Sequence, residues 1–129
     1  MSNKWLDRTL IASPKYTLCT NKKDFDKICK RLQCDEHVDW ISRGSGATCH
    51  TFYDDDEIVS VICIELVKPT NQTRALLVHE CIHIWETVIE CMNESKPSSE
   101  FTAYSIQTLT LNVLNEYDRQ WDNRKGKKK

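Results

Sequence analysis

The segment EIVSVICIELV, residues 57–67, most constrains the fold, because it is apolar on both faces of the strand that it predicts. Successive side chains of a strand point to opposite sides of the sheet. One side here carries Val59, Val61 and Cys63, and the other carries Ile58, Ile62, Ile64 and Leu66. A strand that is apolar on both sides is typical of a sheet interior. We therefore expect this strand inside a sheet that a helix covers.

Further segments have the periodicity of a strand or a helix. Residues 47–53 are expected to pair with the interior strand as a hairpin, across a turn at residues 54–56. Residues 9–19 are β-branched and apolar but are broken by Pro14, which predicts an edge strand. The spacing of apolar residues predicts three helices, at residues 21–33, 72–90 and 98–120. The resulting order, β-α-β-β-α-α, is that of a small α+β domain.

The ends of the two long helices have recognisable signals. Thr70 or Asn71 can accept hydrogen bonds from the free N–H groups at the start of the first. Ser95 is the expected cap of the second, with Pro97 in its first turn. We expect a short, mostly antiparallel sheet to pack on these two helices.

Length and charge limit the classes of function. The chain has 129 residues, enough for one domain, which we expect at residues 1–121. Residues 122–129 end in RKGKKK and predict a disordered basic tail. The net charge is −1, so we expect neither a nucleic acid nor a membrane as partner.

The cysteines and the first residues indicate a cytoplasmic protein. There are 7 cysteines, an odd number, and no two of them form a CxxC pair. We expect free thiols in a reducing compartment rather than a disulfide framework. No long apolar run opens the chain, so no signal peptide is expected, and no segment has the roughly 20 apolar residues of a transmembrane helix.

The segment RALLVHECIHIWETVIE, residues 74–90, contains an HExxH motif. Residues four apart on a helix are offset by only about 40°, so His79 and His83 can bind one metal ion. Glu80 can then take a proton from a zinc-bound water. The alternative is a solvated polar face, because Glu86 and Glu90 fall on the same stripe.

A catalytic zinc usually has three protein ligands, so a third is needed. Glu100 is a candidate if the helix at 72–90 ends near Ile89 or the connection doubles back. Its alternative role is a carboxylate that the dipole at a helix N-terminus favours. Glu86 is the next candidate, and His50 and His37 are weaker ones. We expect His50 instead to be hydrogen-bonded to a backbone carbonyl group.

HECIH followed by a glutamate on the next helix resembles the zincin metallopeptidases, and within them the gluzincin type. The resemblance covers at most residues 57–120. It implies a zincin-like domain with His79, His83 and Glu100 as zinc ligands and Glu80 as general base. The wider pattern HExxHIW…PSSEFxAYxIQ is similar to small uncharacterised HExxH proteins of phages and prophages, which implies the host cytoplasm as location.

One position departs from the gluzincin pattern. Tyr104 stands where many of those enzymes have an acidic residue that orients a zinc histidine. Its phenol can serve as a catalytic donor to a ligand or to an oxyanion, whereas its alternative role is that of a core aromatic. His50 and Tyr53 are the other candidate donors to an oxyanion.

The sequence therefore predicts a zinc-dependent metallohydrolase, and more narrowly a small metallopeptidase acting on a peptide or protein. An extended substrate can pair with an edge of the hairpin. One alternative is a non-catalytic zinc domain for binding or assembly, in which the metal clamps two helices. The other is an interaction protein without a metal.

Overall fold

Three strands and three helices follow one another in the predicted order. The computed structural model describes residues 3–6, 13–34, 38–54 and 57–124. The elements are β1 (Lys15–Cys19), α1 (Lys22–Arg31), β2 (Ala47–Tyr53), β3 (Ile58–Ile64), α2 (Asn71–Cys91) and α3 (Ser99–Asn123). This order, β-α-β-β-α-α, confirms the small α+β fold.

The sheet has the order β1-β3-β2, so β3 is its central strand. β1 runs parallel to β3, with Leu18 opposite Ile62, and β2 runs antiparallel to it, with Cys49 opposite the same Ile62. The sheet is therefore mixed, with one pair of each kind, so the expectation of a mostly antiparallel sheet is wrong. The interior position of β3 was predicted from its apolar pattern, and the edge position of β1 was predicted from Pro14, which directly precedes the strand.

β3 contributes to a core on each face of the sheet. Ile62 and Ile64 pack with α2 and α3, where the buried partners include Leu77, Ile84 and Leu109. The other face carries Val59, Val61 and Cys63, which pack with Phe25 and Ile28 of α1. Helices thus cover both faces, which explains why β3 alternates apolar side chains in both directions.

Caps fix where the long helices begin. Thr70 precedes α2 and its side chain accepts from Thr73 N, which confirms one of the two predicted caps. For α3 the prediction is wrong by three residues, because Ser98 rather than Ser95 accepts from Phe101 N. Pro97 consequently lies just before the cap and outside the first turn.

The ends of these helices also differ from expectation. α2 continues through Cys91 and is capped by Met92, so it does not end early near Ile89. α3 continues to Asn123, past its predicted end at residue 120, and takes in the first residues assigned to the basic tail. The rest of that tail, residues 125–129, lies outside the described residues, as does His37. Within the described residues, no helix is both long and apolar enough to cross a bilayer.

Tyr117 fastens α3 to the segment that leads into α2. Its phenol oxygen donates to Val67 O at 2.7 Å and accepts from Val67 N at 2.9 Å, and the ring is buried. This places the first turn of α2 beside the sheet. The position of the HExxH motif thus depends on a contact with the last helix.

The buried thiol of Cys19 should make the free energy of unfolding depend on pH in the alkaline range. Burial raises the pKa of Cys19 to about 12 from an ordinary 9.0, with the negative charge of Asp24 as the second cause. Because the folded-state pKa is the higher one, the stabilisation is complete below pH 9 and is lost as the pH rises towards 12. Urea unfolding at pH 8.5 and 10.5 should show the wild type losing about 2 kcal/mol more than Cys19→Ala. An equal loss in both proteins would contradict this assignment.

Candidate functional site

A groove lies between α2 and the free edge of the sheet, and it contains the HExxH residues. It has a volume of about 500 Å³. We call it the helix–strand groove, lined by Ser42, Ser45, Ala47, Thr48, Cys49, Thr51, His79, Glu80, His83, Glu86, Thr87 and Glu90. The helical residues recur every three or four positions, so they share one face of α2.

The strand side of the groove follows from the pleat of β2. Ala47, Cys49 and Thr51 alternate along the strand and line the groove, whereas His50 and Phe52 belong to the opposite face with Phe25. α2 therefore packs over this face of β2, and among the described residues the other edge of β2 is not paired with a further strand. The predicted alternation of the strand could have identified these lining residues, but not the helix that they face.

His79 and His83 lie together at the surface of the groove. Their ring centroids are 5.1 Å apart and the rings are nearly perpendicular. The side chains are 67% and 50% exposed, so ligands can reach both. His83 Nδ1 lies 2.8 Å from Glu86 Oε1, and a proton on Nδ1 leaves Nε2 able to bind a metal.

Glu80 is the buried charge of the site. Its side chain is only 7% exposed, and its Oε2 lies 4.0 Å from His79 Nε2, which is too long for a hydrogen bond. Among the described residues no hydrogen-bond donor contacts this carboxylate. A buried charge without a partner is unfavourable, so the carboxylate is suited to a cation or a water in the groove.

Carboxylates dominate the charge of the groove. Glu80, Glu86 and Glu90 line it, and no lysine or arginine does so among the described residues. Burial raises the pKa of Cys49 to about 12, and the charge of Glu80 is the next cause. The Cys49 thiol is therefore neutral at physiological pH.

A second, more apolar cavity adjoins the groove at the start of α2. It has a volume of about 360 Å³, and we call it the Leu76 cavity, lined by Ser45, Gly46, Ala47, Gln72, Ala75, Leu76, His79 and Glu80. A Cβ atom added to Gly46 would lie 3.1 Å from Leu76 Cδ1. The missing side chain thus lets Leu76 approach the loop backbone and shape the cavity wall.

Glu100 does not join the two histidines. It is exposed in the first turn of α3 and does not line the groove. The neighbouring Phe101 packs on Trp85, with ring centroids 5.6 Å apart. Because Trp85 lies about 200° round α2 from His83, α3 packs on the side of α2 that faces away from the histidines. The expected route for Glu100, through an early end of α2, is absent.

The described residues contain no cluster of three or more His, Cys, Asp or Glu side chains that could hold one metal ion. Of the predicted ligands, His79 and His83 are the two whose side chains the structure brings together. Glu86, the next candidate for third ligand, is bound to His83 Nδ1. The sequence-predicted ligand set is thus only partly assembled.

The other candidates lie away from the histidines. Tyr104 is 58% exposed on α3 and is neither a core residue nor a lining residue of the groove. His50 Nε2 lies 2.9 Å from Trp40 O, the backbone contact that was expected for it. Tyr53 donates to Glu90 Oε1 at 3.2 Å, at the far end of the groove.

No family model, no curated protein and no solved structure matches this chain.

Proposed function

We propose that the protein is a zinc-dependent hydrolase that cleaves peptides in the helix–strand groove. The observation that supports this most is the largely buried Glu80 side chain, which lines the groove without a hydrogen-bond donor among the described residues and lies beside two exposed imidazoles. A polar helix face of structural origin would place its carboxylates in solvent, as it does at Glu86. The burial of Glu80 is instead suited to proton transfer.

The two histidines are suited to bind a zinc ion, but they would supply two protein ligands rather than three. Imidazole nitrogens are ordinary zinc ligands, and Glu86 orients the ring of His83 as a carboxylate commonly does behind a zinc histidine. No third protein ligand accompanies them among the described residues. Solvent and substrate would therefore fill the other coordination positions, and zinc should bind less tightly than at a site with three protein ligands.

Zinc bound there would supply a Lewis acid that polarises a carbonyl group and makes water more acidic. Glu80 would accept a proton from a water molecule whose oxygen forms a bond to the peptide carbonyl carbon. It would then return this proton to the leaving nitrogen as the C–N bond breaks. The low exposure of the Glu80 side chain, 7%, strengthens its electrostatic interactions.

The free edge of β2 offers a place for the substrate. An edge strand presents unpaired N–H and C=O groups, and an extended peptide can pair with them. Since β2 runs beside His79 and His83, such a peptide would pass the reactive groups. The expected substrate is thus an unfolded segment or a flexible loop of a protein.

A peptide-binding protein without catalysis is the second candidate function. The missing third zinc ligand among the described residues favours it. The alternative in which zinc clamps two helices has less support, because Glu100 lies on the far side of α2 from the histidines.

Zinc content and zinc-dependent cleavage test the proposal. Elemental analysis of the purified protein incubated with zinc should give one ion per chain, lost in His79→Ala and in His83→Ala. Glu100→Gln is the matched control and should retain the ion, because that side chain is remote from the pair. Mass spectrometry of a mixed peptide library should show cleavage that a chelator stops. Failure of the wild type to bind zinc would refute the metal site. Zinc that remains bound in His79→Ala and in His83→Ala would refute it as well.

A further inference from the structure

We infer that the helix–strand groove recognises a peptide with a basic side chain at its Glu86–Glu90 end and an apolar side chain in the Leu76 cavity. The inference names a substrate class for the site proposed above, and it rests on that proposal for the role of the groove. Binding, unlike hydrolysis, can be measured without zinc. The two ideas can therefore fail separately.

The charge of the groove supports the basic side chain. Three carboxylates line it, from Glu80, Glu86 and Glu90, and no lysine or arginine of the described residues offsets them there. The second observation is the Glu80 side chain, 7% exposed and without a hydrogen-bond donor among the described residues. A cationic side chain bound at the Glu86–Glu90 end would lower the repulsion among these carboxylates.

The positions of the two outer carboxylates make them accessible. The Glu86 side chain is 62% exposed, and its one hydrogen-bond partner among the described residues is His83 Nδ1. Glu90 accepts from Tyr53 Oη at 3.2 Å and keeps its second carboxylate oxygen for another donor. A lysine or arginine side chain can donate to both residues, since they are four apart on one face of α2.

The Leu76 cavity supports the apolar side chain. Gly46, Ala47, Ala75 and Leu76 form its walls, and burying an apolar side chain against them is favourable. The cavity opens beside His79 and Glu80, which it shares with the groove. One bound peptide can therefore reach both features.

The distance between the two features sets the spacing in the peptide. Glu86 follows Leu76 by ten residues, a rise of about 15 Å along the helix. An extended chain covers this distance in about four or five residues at roughly 3.3 Å each. The basic residue should consequently lie about four positions from the apolar one.

Peptides of fixed spacing test this recognition. The first probe is Lys-Ala-Ala-Ala-Leu-Ala-Ala-Ala-Lys with blocked ends, which is the same for either chain direction. Two comparison peptides are used. One carries glutamate in place of both lysines, and the other carries glutamine in place of the leucine. Dissociation constants are measured by NMR titration of the full chain with a chelator present and at low ionic strength, so that nothing is hydrolysed and charges are little screened.

The lysine peptide should bind about tenfold more tightly than the glutamate peptide, and the glutamine peptide should bind more weakly than the lysine one. The lysine peptide should shift the amide signals of Glu86, Glu90 and Leu76. Glu90→Lys should remove most of the preference for lysine. Glu94→Lys, the same charge change outside the groove, should leave it unchanged.

Equal affinity for the lysine and glutamate peptides would overturn the inference, as would no detectable binding or a preference that survives in Glu90→Lys. Affinity that does not depend on the central leucine would overturn the apolar part. If the peptides bind as expected but no zinc-dependent cleavage is found, the recognition stands and the hydrolase proposal fails. Zinc-dependent cleavage without a charge preference would support the hydrolase proposal and overturn the recognition of a basic side chain.

Discussion

Glu80→Gln is expected to lower the rate of peptide hydrolysis by about 10²–10⁴-fold and to leave the zinc content unchanged. An amide has nearly the shape of the carboxylate, but it cannot accept the proton of the attacking water. The histidines keep their positions, because neither depends on a hydrogen bond from Glu80. The measurement pairs kcat on a cleaved library peptide with elemental analysis of the same sample.

A stability measurement separates a catalytic Glu80 from a structural one. The wild-type side chain is a buried charge without a hydrogen-bond donor among the described residues, so its neutral replacement should raise the free energy of unfolding. A gain in stability together with a loss of turnover is the signature of a functional residue. A variant that keeps full activity would remove Glu80 from the mechanism, and one that unfolds would assign it a structural role.

Arg119→Ala is expected to reduce the free energy of unfolding by about 3–5 kcal/mol. The Glu116 side chain is 1% exposed, and Arg119 donates to its two oxygens from Nε and Nη2, each at 2.6 Å. Gln120 Nε2 adds a third contact, at 2.8 Å. Loss of the guanidinium would leave a buried carboxylate with this single amide donor. Urea unfolding monitored by circular dichroism would give the change.

Two further variants check that burial causes the effect. Arg31 pairs with Glu57 at 2.9 Å, but the two side chains are 46% and 28% exposed, so Arg31→Ala should cost less than about 1 kcal/mol. Combining Arg119→Ala with Glu116→Gln should recover part of the loss, because the uncompensated charge is removed. Equal losses in Arg31→Ala and Arg119→Ala would contradict this interpretation.

Local patterns were sufficient to predict most of the fold. The period of two in residues 57–67 predicted a central strand, and β3 is covered on both faces. The helical spacing of His79 and His83 predicted that their side chains would be neighbours, and their ring centroids are 5.1 Å apart. The Thr70 cap needed only the next three residues. Each of these features depends on contacts close in sequence or on a simple repeat.

The side of α2 against which α3 packs could not be predicted in this way. α2 has apolar residues around most of its circumference, so several sides could have received a neighbouring helix. α3 packs on the side where Phe101 contacts Trp85 with tilted rings, and this packing places Glu100 away from His83. The error at the start of α3 is local, since Ser95 and Ser98 are equally good caps and only the packed structure distinguishes them. The Leu76 cavity likewise requires the loop at Gly46 and α2 to meet, which no single segment encodes.

The contacts of Gln120 have a consequence for synthesis on the ribosome. Its amide nitrogen donates to Leu18 O at 3.0 Å, and its amide oxygen accepts from Thr20 Oγ1, a residue 100 positions earlier in the chain. The exit tunnel holds back the most recently added residues, so the contacts of Gln120 with Leu18 and Thr20 can form only after almost the whole of α3 has emerged. During that interval the sheet would expose apolar surface, which is a natural point for a chaperone to intervene.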